Sequence, residues 1–364
     1  MAAPTETYVD PSIAGDSGAG TIGDPFGDLQ FALNSVTRDA TNGDRFNIKA
    51  GTDEIMGAAI DLTSYGTPAA GAPLIFQGYT SAAGDGGQGG ISGGGSVSIS
   101  TSVLNYIVYR DLHLHNCGAA DILDGIDFGI VEGCELDNTM GNGIDPGNSM
   151  LIIGNHFHNI GGFGVDSGKF AGIVNNYFKD ETNKFTRAIN SFSDSSYIAR
   201  NIISLNSTTG YGIVAAGIVI GNSIFNAAAG TNIGIWGVTG VLSQPSAFLN
   251  NLIEGFSGAG GDGMQIDVGT DILLVGNNAL YNNTTHYTLN DAISIGDNEE
   301  LGASPFAKSG ADTFANRFTY FAPVDTGNVI GGAYPSGANL DKGAVQAAAA
   351  GGGIRLAGRG GLAA

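Results

Sequence analysis

IVEGCEL (130–136), LIIGNHF (151–157), GIVNNYF (172–178), YIARNII (197–203), IVIGNSI (218–224), AFLNNLI (247–253) and LLVGNNA (273–279) are copies of one strand-sized phrase, and YRDLHL (109–114) is a degenerate first copy. Aligned on the last apolar residue, the copies end at Leu114, Leu136, Phe157, Phe178, Ile203, Ile224, Ile253 and Ala279, at intervals of 21 to 29 residues. A period of that size marks a supersecondary unit that cannot bury its own apolar face and must stack on copies of itself.

The content of each unit selects the solenoid. Short runs of β-branched and aromatic residues alternate with Gly, Asn, Asp and Ser, and no stretch is long enough for a helix. This excludes the helical repeats, and the frame of a leucine-rich repeat is missing too. Two residues before the anchor the column reads Leu112, Cys134, Asn155, Asn176, Asn201, Asn222, Asn251 and Asn277. Six consecutive asparagines predict a stacked ladder at a backbone bend, because Asn tolerates the left-handed conformation and its amide can bond to the coils on either side. The predicted fold is all-β, a single-stranded right-handed parallel β-helix of about 10–12 coils with three sheets, on the order of 50 Å long at about 4.8 Å per coil.

An earlier column in each coil supports this: GID (125–127), GID (143–145), GVD (164–166), AIN (188–190), GIV (212–214) and GIW (234–236). Alternation along a strand sends Ile126, Ile144, Val165, Ile189, Ile213 and Ile235 inward and the following residue outward.

Length and composition agree. The 364 residues would ordinarily suggest two domains, but a solenoid lengthens by adding coils, and the 61 glycines and 13% charged residues suit tight turns. The predicted organisation is an N-terminal arm and capping helix at 1–44, coils at 45–301, an irregular C-terminal cap at 302–346 and an Ala/Gly-rich tail at 347–364. In PFGDLQFALNSV (25–36), Phe26, Leu29, Leu33 and Val36 fall at helical spacing, with Asp24 as the expected cap and Pro25 in the first turn. The stretch GDGGQGGISGGG (84–95) reads as a loop, since neither a P-loop lysine nor a strand–helix context accompanies it. Cys117 and Cys134 read as buried thiols rather than a disulfide.

The formal charge of −20 argues against nucleic acid and anionic membranes as partners. MAAPTETYVDP (1–11) lacks the basic start and apolar run of a secretory signal, so folding in a cytoplasm is expected. No stretch of 18 apolar residues predicts a membrane span.

YVDPSIAGDSGAGTIGDPFGDLQFAL (8–33), RFNIKAGTDE (45–54), the Asn-ladder coils, SPF (304–306) and DKGAVQ (341–346) together resemble the right-handed parallel β-helix repeat proteins of bacteria and tailed bacteriophages, over about residues 7–346. That group includes pectate-lyase-like and polygalacturonase-like enzymes, phage tailspikes and fibres, and catalytically silent virion or surface proteins. The N-T-D, Asp-Asp, G-H-G and R-I-K strings of polygalacturonases do not occur, nor do the R-x-P-x-x-R and W-x-D-H segments of pectate lyases, so no catalytic residue carries over. The resulting expectation is a structural component of a tailed-phage virion: a fibre, spike or capsid-decorating appendage, with a host-surface glycan and a homotrimer both compatible. The alternatives are a polysaccharide lyase or glycoside hydrolase acting on an extracellular polysaccharide, or a carbohydrate-binding surface protein. The expected location is the virion, or otherwise the extracellular space or cell surface.

Three groups are candidates for function. The outward column Asp127, Asp145, Asp166, Asn190, Val214, Trp236 places carboxylates about 4.8 Å apart, close to the roughly 5–5.5 Å of a retaining glycosidase pair, where like charge raises one pKa. Trp236, the only tryptophan, offers a sugar-stacking face. His113, Glu135, His156 and Tyr177 fall in one column and His115, Asp137, His158 and Lys179 in a parallel one, both facing away from the core. Stacks of this kind suit a transition metal or acid–base work, with His113 and His156 as further catalytic candidates. An alternating-sign ladder is the plainer reading of those columns, and a solvated acidic stripe that of the carboxylates. No cofactor is expected beyond a bound divalent cation. The tail carries Ile354, Arg355, Leu356 and Arg359 with no acidic residue, and is expected to anchor the rod to another subunit.

Overall fold

The computed structural model describes residues 3–321 apart from 101–103, 168–169, 182–183, 239–245, 268–272, 291, 295–298 and 314, and describes the backbone only at 104, 193–195, 273, 292–294 and 299. The tail residues Ile354, Arg355, Leu356 and Arg359, and the stretch 322–346, lie outside the described residues.

The chain winds as a parallel β-helix. Each coil contributes a strand to a first sheet, turns sharply into a third, and returns through a second: Ile130–Glu132, then Glu135–Thr139, then Ile144–Pro146, before Leu151–Ile153 begins the next coil. Every strand pairs in parallel with the equivalent strand one coil away, as in Ile130↔Leu151, Leu136↔Phe157 and Ile144↔Val165. Among the described residues the third sheet has 11 strands, from Glu54–Ile55 to Glu299–Glu300. The first and second join there into one 19-stranded sheet because Arg187–Ala199 and Tyr211–Ile220 run from one into the other.

Inward side chains stack in register. On the third sheet Leu114, Leu136, Phe157, Phe178, Ile203, Ile224, Ile253 and Leu280 form a fully buried column, with the Phe157 and Phe178 rings stacked at 4.6 Å. Ile126, Ile144, Val165, Ile189, Ile213 and Ile235 are all in the core. Burying such side chains is worth about 1.5–3 kcal/mol each, and only stacking removes both edges of a coil from water.

The bend between first and third sheets is shared by two residues. Gly133, Gly154, Asn175, Arg200, Gly221, Asn250 and Asn277 hold φ between 54° and 68°. The next residue carries the ladder. Asn155, Asn176, Asn201, Asn222 and Asn251 are buried, and each Oδ1 accepts the backbone N–H of the ladder residue one coil earlier, at 2.8–3.0 Å. Each Nδ2 donates to a carbonyl of the preceding coil, as from Asn201 to Ile173 at 2.8 Å.

This geometry corrects the last rung. Asn278, not Asn277, is the ladder residue: its Oδ1 accepts from the Asn251 N–H at 2.9 Å, and Ile253 pairs with Leu280 rather than Ala279. In each Asn-Asn pair (175–176, 250–251, 277–278) the first takes the left-handed bend and the second enters the ladder.

The N-terminal end differs from expectation in two respects. Thr5–Val9 pairs with Asp44–Lys49, so the arm supplies the first rung of the first sheet. The helix is shorter, Leu29–Ser35, and its cap is Asp28, whose carboxylate accepts the Phe31 N–H at 2.5 Å, rather than Asp24. Residues 25–27 are held out of the helix because Phe26 bridges Val9, donating to the Tyr8 carbonyl and accepting from Asp10 N–H. Leu29, Ala32 and Leu33 close the apolar end of the coils.

Within the glycine-rich stretch, Gly89–Ser92 is a buried strand of the third sheet, not a loop. Glycine is required there by close approach: a Cβ on Gly89 would stand 2.3 Å from the Ile48 carbonyl oxygen, and one on Gly90 would overlap the Asp53 carboxylate.

After the last coil, residues 301–321 turn back over the outside of the third sheet. Phe306 and Phe321 pack with Tyr177, Ile202, Leu252 and Ala279. Glu254 accepts from Lys308 at 2.5 Å and Ser304 at 2.7 Å, and Asp312 receives the hydroxyls of Tyr177 and Ser204. Cys117 and Cys134 are buried free thiols. Among the described residues no helix is long and apolar enough to cross a membrane.

Candidate functional site

Two outward rows run along the second sheet. Following the inward column Leu123, Ile144, Val165, Ile189, Ile213 and Ile235, one row reads Asp124, Asp145, Asp166, Asn190, Val214, Trp236 and Gln265. The other, two residues before the inward position, brings Phe163, Arg187 and Tyr211 side by side.

Asp127 does not belong to the carboxylate row. A bulge between Asp145 and Pro146 pairs Asp145 with Asp124, and Asp127 instead accepts the backbone N–H of Asn148. The inserted residue in LDGID (123–127) moves the register, so that Asp124 takes the place expected of Asp127. Asp121 joins it: Asp121, Asp124 and Asp145 bring one oxygen each within 4.8 Å of one another. Burial, then the charges of Asp166, Asp121 and Asp124, push the Asp145 carboxyl up to about 6. Burial also raises Asp166, against the opposing effects of Asn190 and Arg187, and raises Asp121, against the Asn142 N–H.

Farther along, Asn190 Nδ2 donates to Asp166 at 2.6 Å and Arg187 donates to Asn190, so the cation reaches the acids through an amide. The guanidinium lies over Phe163, Phe192 and Tyr211 at 5.0–5.7 Å. Tyr211 stacks on Trp236 at 5.5 Å and 30°. Arg187 Nε and Trp236 Nε1 are buried with no hydrogen-bond partner among the described residues. Val214, expected to face outward, occupies that row yet is fully buried.

The third sheet carries four of the five histidines. Its registers set His113, Glu135, His156 and Tyr177 in one outward column and His115, Asp137, His158 and Lys179 in the other, on either side of Leu114, Leu136, Phe157 and Phe178. The His113 and His115 rings stack at 4.1 Å, and those of His156 and His158 at 4.4 Å. His113 meets Asp137 at 2.8 Å, His115 meets Asp53 at 3.1 Å, and His158 meets Glu135 at 2.9 Å. Asp53 reaches His115 over Gly90, the in-register neighbour of His113, where no side chain obstructs it. Burial holds His156 down at about 3, aided by neighbouring His158. The bond from His158 outweighs burial and takes Glu135 down to about 2. Burial pulls against His113 and His158, but their carboxylates leave both raised.

Sequence reasoning missed Asp121 and Asp124, Arg187 and Tyr211, and Asp53 and Glu181 beside the histidines. Strand alternation hides Arg187 and Tyr211, since both stand two residues before a recognised inward position and would be read as inward themselves.

Among solved structures the chain resembles pectate lyase Pel9A, with a TM-score of 0.58 and 14% identity, over 95% of this chain and 97% of that chain. At that identity the shared property is the parallel β-helix itself. No protein-family model and no curated protein sequence matches the chain.

Proposed function

We propose that this protein binds an extended polysaccharide along the outward face of the second sheet and cleaves it at the carboxylate end. One observation carries the reading: the carboxylates Asp124, Asp145 and Asp166, with Asp121 beside them, share a sheet with the Tyr211–Trp236 stack, with Arg187 between them. Sugar rings present apolar faces to aromatics. The five steps between the six rungs from Asp124 to Trp236 extend about 24 Å at about 4.8 Å each, which suits a chain rather than a small molecule. A parallel β-helix also serves a pectate lyase. The net charge of −20 and the clustered carboxylates oppose a polyuronate, so the favoured glycan is neutral or weakly charged.

In this reading Asp145, protonated up to about pH 6, gives its proton to the glycosidic oxygen as the C–O bond breaks. Asp124, with an oxygen within 4.8 Å, attacks the anomeric carbon, and water then releases the sugar with retention. Because Trp236 is the only tryptophan, intrinsic fluorescence reports this face directly. Titration with a panel of neutral and acidic polysaccharides is expected to shift the emission with at least one neutral glycan, and Trp236→Ala to weaken that binding by about tenfold or more, the loss of one aromatic platform. Tight binding that leaves the emission unchanged and survives the substitution would move the site to another face.

A second reading concerns where the rod is carried. Residues 347–364 contain Arg355 and Arg359 and no acidic group, on a chain of charge −20. This supports attachment to acidic grooves of neighbouring subunits, as in a tailed-phage fibre, spike or decorating appendage. Truncation after Gln346 is expected to leave a folded rod that no longer joins its assembly when mixed with particles. Normal incorporation of the truncated chain would end this reading.

A further inference from the structure

We propose that Glu135, His156 and His158, on the outward face of the third sheet, form a binding site for a zinc-class divalent cation. The site is separate from the glycan face and does not depend on it. Glu135 Oε1 is 2.9 Å from His158 Nε2 and 3.9 Å from His156 Nδ1. Tetrahedral zinc at about 2.1 Å from each donor sets neighbouring donors about 3.4 Å apart, so small side-chain rotations suffice. The three donor atoms already lie within 4.8 Å of one another.

The backbone explains why they stay together. His156 and His158 are alternate residues on one strand and Glu135 pairs with His156 across the ladder, so three donors are fixed by rigid β-structure rather than by loops. The histidine side chains are 13% and 14% exposed, while Glu135 at 32% leaves an opening on the solvent side for a fourth ligand. A second observation concerns the far side of the ring. His158 Nδ1 is 3.1 Å from Glu181 Oε2, the arrangement in which an outer carboxylate orients a metal-bound imidazole and raises its basicity. Tyr177 stacks on His156 at 5.2 Å and walls the site toward the returning segment 301–321. Two imidazoles and one carboxylate match zinc chemistry better than calcium or magnesium, which favour all-oxygen shells.

Metal-stripped protein titrated with Zn²⁺ against a chromophoric chelator is expected to bind with the Glu135 group as its tightest site. Co²⁺ in its place is expected to give the intense visible bands of a four-coordinate ion. His158→Ala should weaken binding by at least about a hundredfold, and Glu181→Gln by about ten- to a hundredfold through the lost outer bond. Because His158→Ala also breaks an ion pair, the conservative Glu135→Gln is measured beside it, with circular dichroism confirming both folds. His115→Ala, which removes a ligand of the neighbouring Asp53–His113–His115 group, should leave the tightest site unchanged. An octahedral Co²⁺ spectrum, or wild-type affinity no better than that of Glu135→Gln, would overturn the assignment.

Discussion

Replacing Asn201 with Ala is expected to destabilise the protein by about 3 kcal/mol, the upper end for a buried hydrogen-bonding group whose partners are left unpaired. Asn201 is fully buried, its Oδ1 accepts from both the backbone N–H and Nδ2 of Asn176, and its own Nδ2 donates to Ile173 O and Asn222 Oδ1. Alanine fills neither the space nor the bonds. Asn155→Ala is the informative comparison, because among the described residues the only donor lost upstream of its Oδ1 is the Cys134 N–H. Paired denaturant melts should rank Asn201→Ala as the costlier change. Equal and small losses would mean that the ladder only accompanies the bend and does not hold it.

Asp145→Asn is expected to lower the rate of glycan cleavage by about 10²–10⁴-fold, the usual contribution of a positioned acid, while leaving the fold intact. It carries a pH signature as well. The folded carboxyl titrates near 6, above its unfolded value, so its stabilising contribution is complete only below about pH 4 and is lost as pH rises through 6. Asparagine stays neutral throughout. The variant should therefore gain on the wild type between pH 4 and pH 8, by about 1 kcal/mol once the partial exposure of the group is discounted. Melts at the two pH values check the sign, and a glycan-cleavage assay checks the rate. Undiminished cleavage by Asp145→Asn would remove this group from the chemistry.

The solenoid was legible because its signal is repeated. Each Asn and each inward Ile occurs once per coil, and a misread copy is outvoted by its neighbours. The errors lie where one residue is inserted. In LLVGNNA the doubled Asn allowed two alignments differing by one position, and only the left-handed backbone of Asn277 shows which residue bends and which bonds. In LDGID one added residue displaced Asp127 from a row that Asp124 occupies, since Gly125 takes φ 68° at the bulge. The sequence places the cap at Asp24 because helical spacing alone cannot register that Phe26 is already engaged by Val9. The histidine columns were readable from strand alternation, whereas Asp53 and Glu181 arrive from turns, whose positions no periodicity encodes.

The returning segment 301–321 also dictates an order of events. Ladder bonds join residues one coil apart, such as the 21 separating Asn201 from Asn222, whereas Asp312 reaches Tyr177 and Ser204 across 135 and 108 residues. Closing a longer loop costs more chain entropy, and here it gains nothing until the coils beneath exist. Coils can thus be laid down one on the next as the chain emerges. The segment is a latch that shuts last, and its docking records that the strands from Tyr177 to Leu252 are already in register.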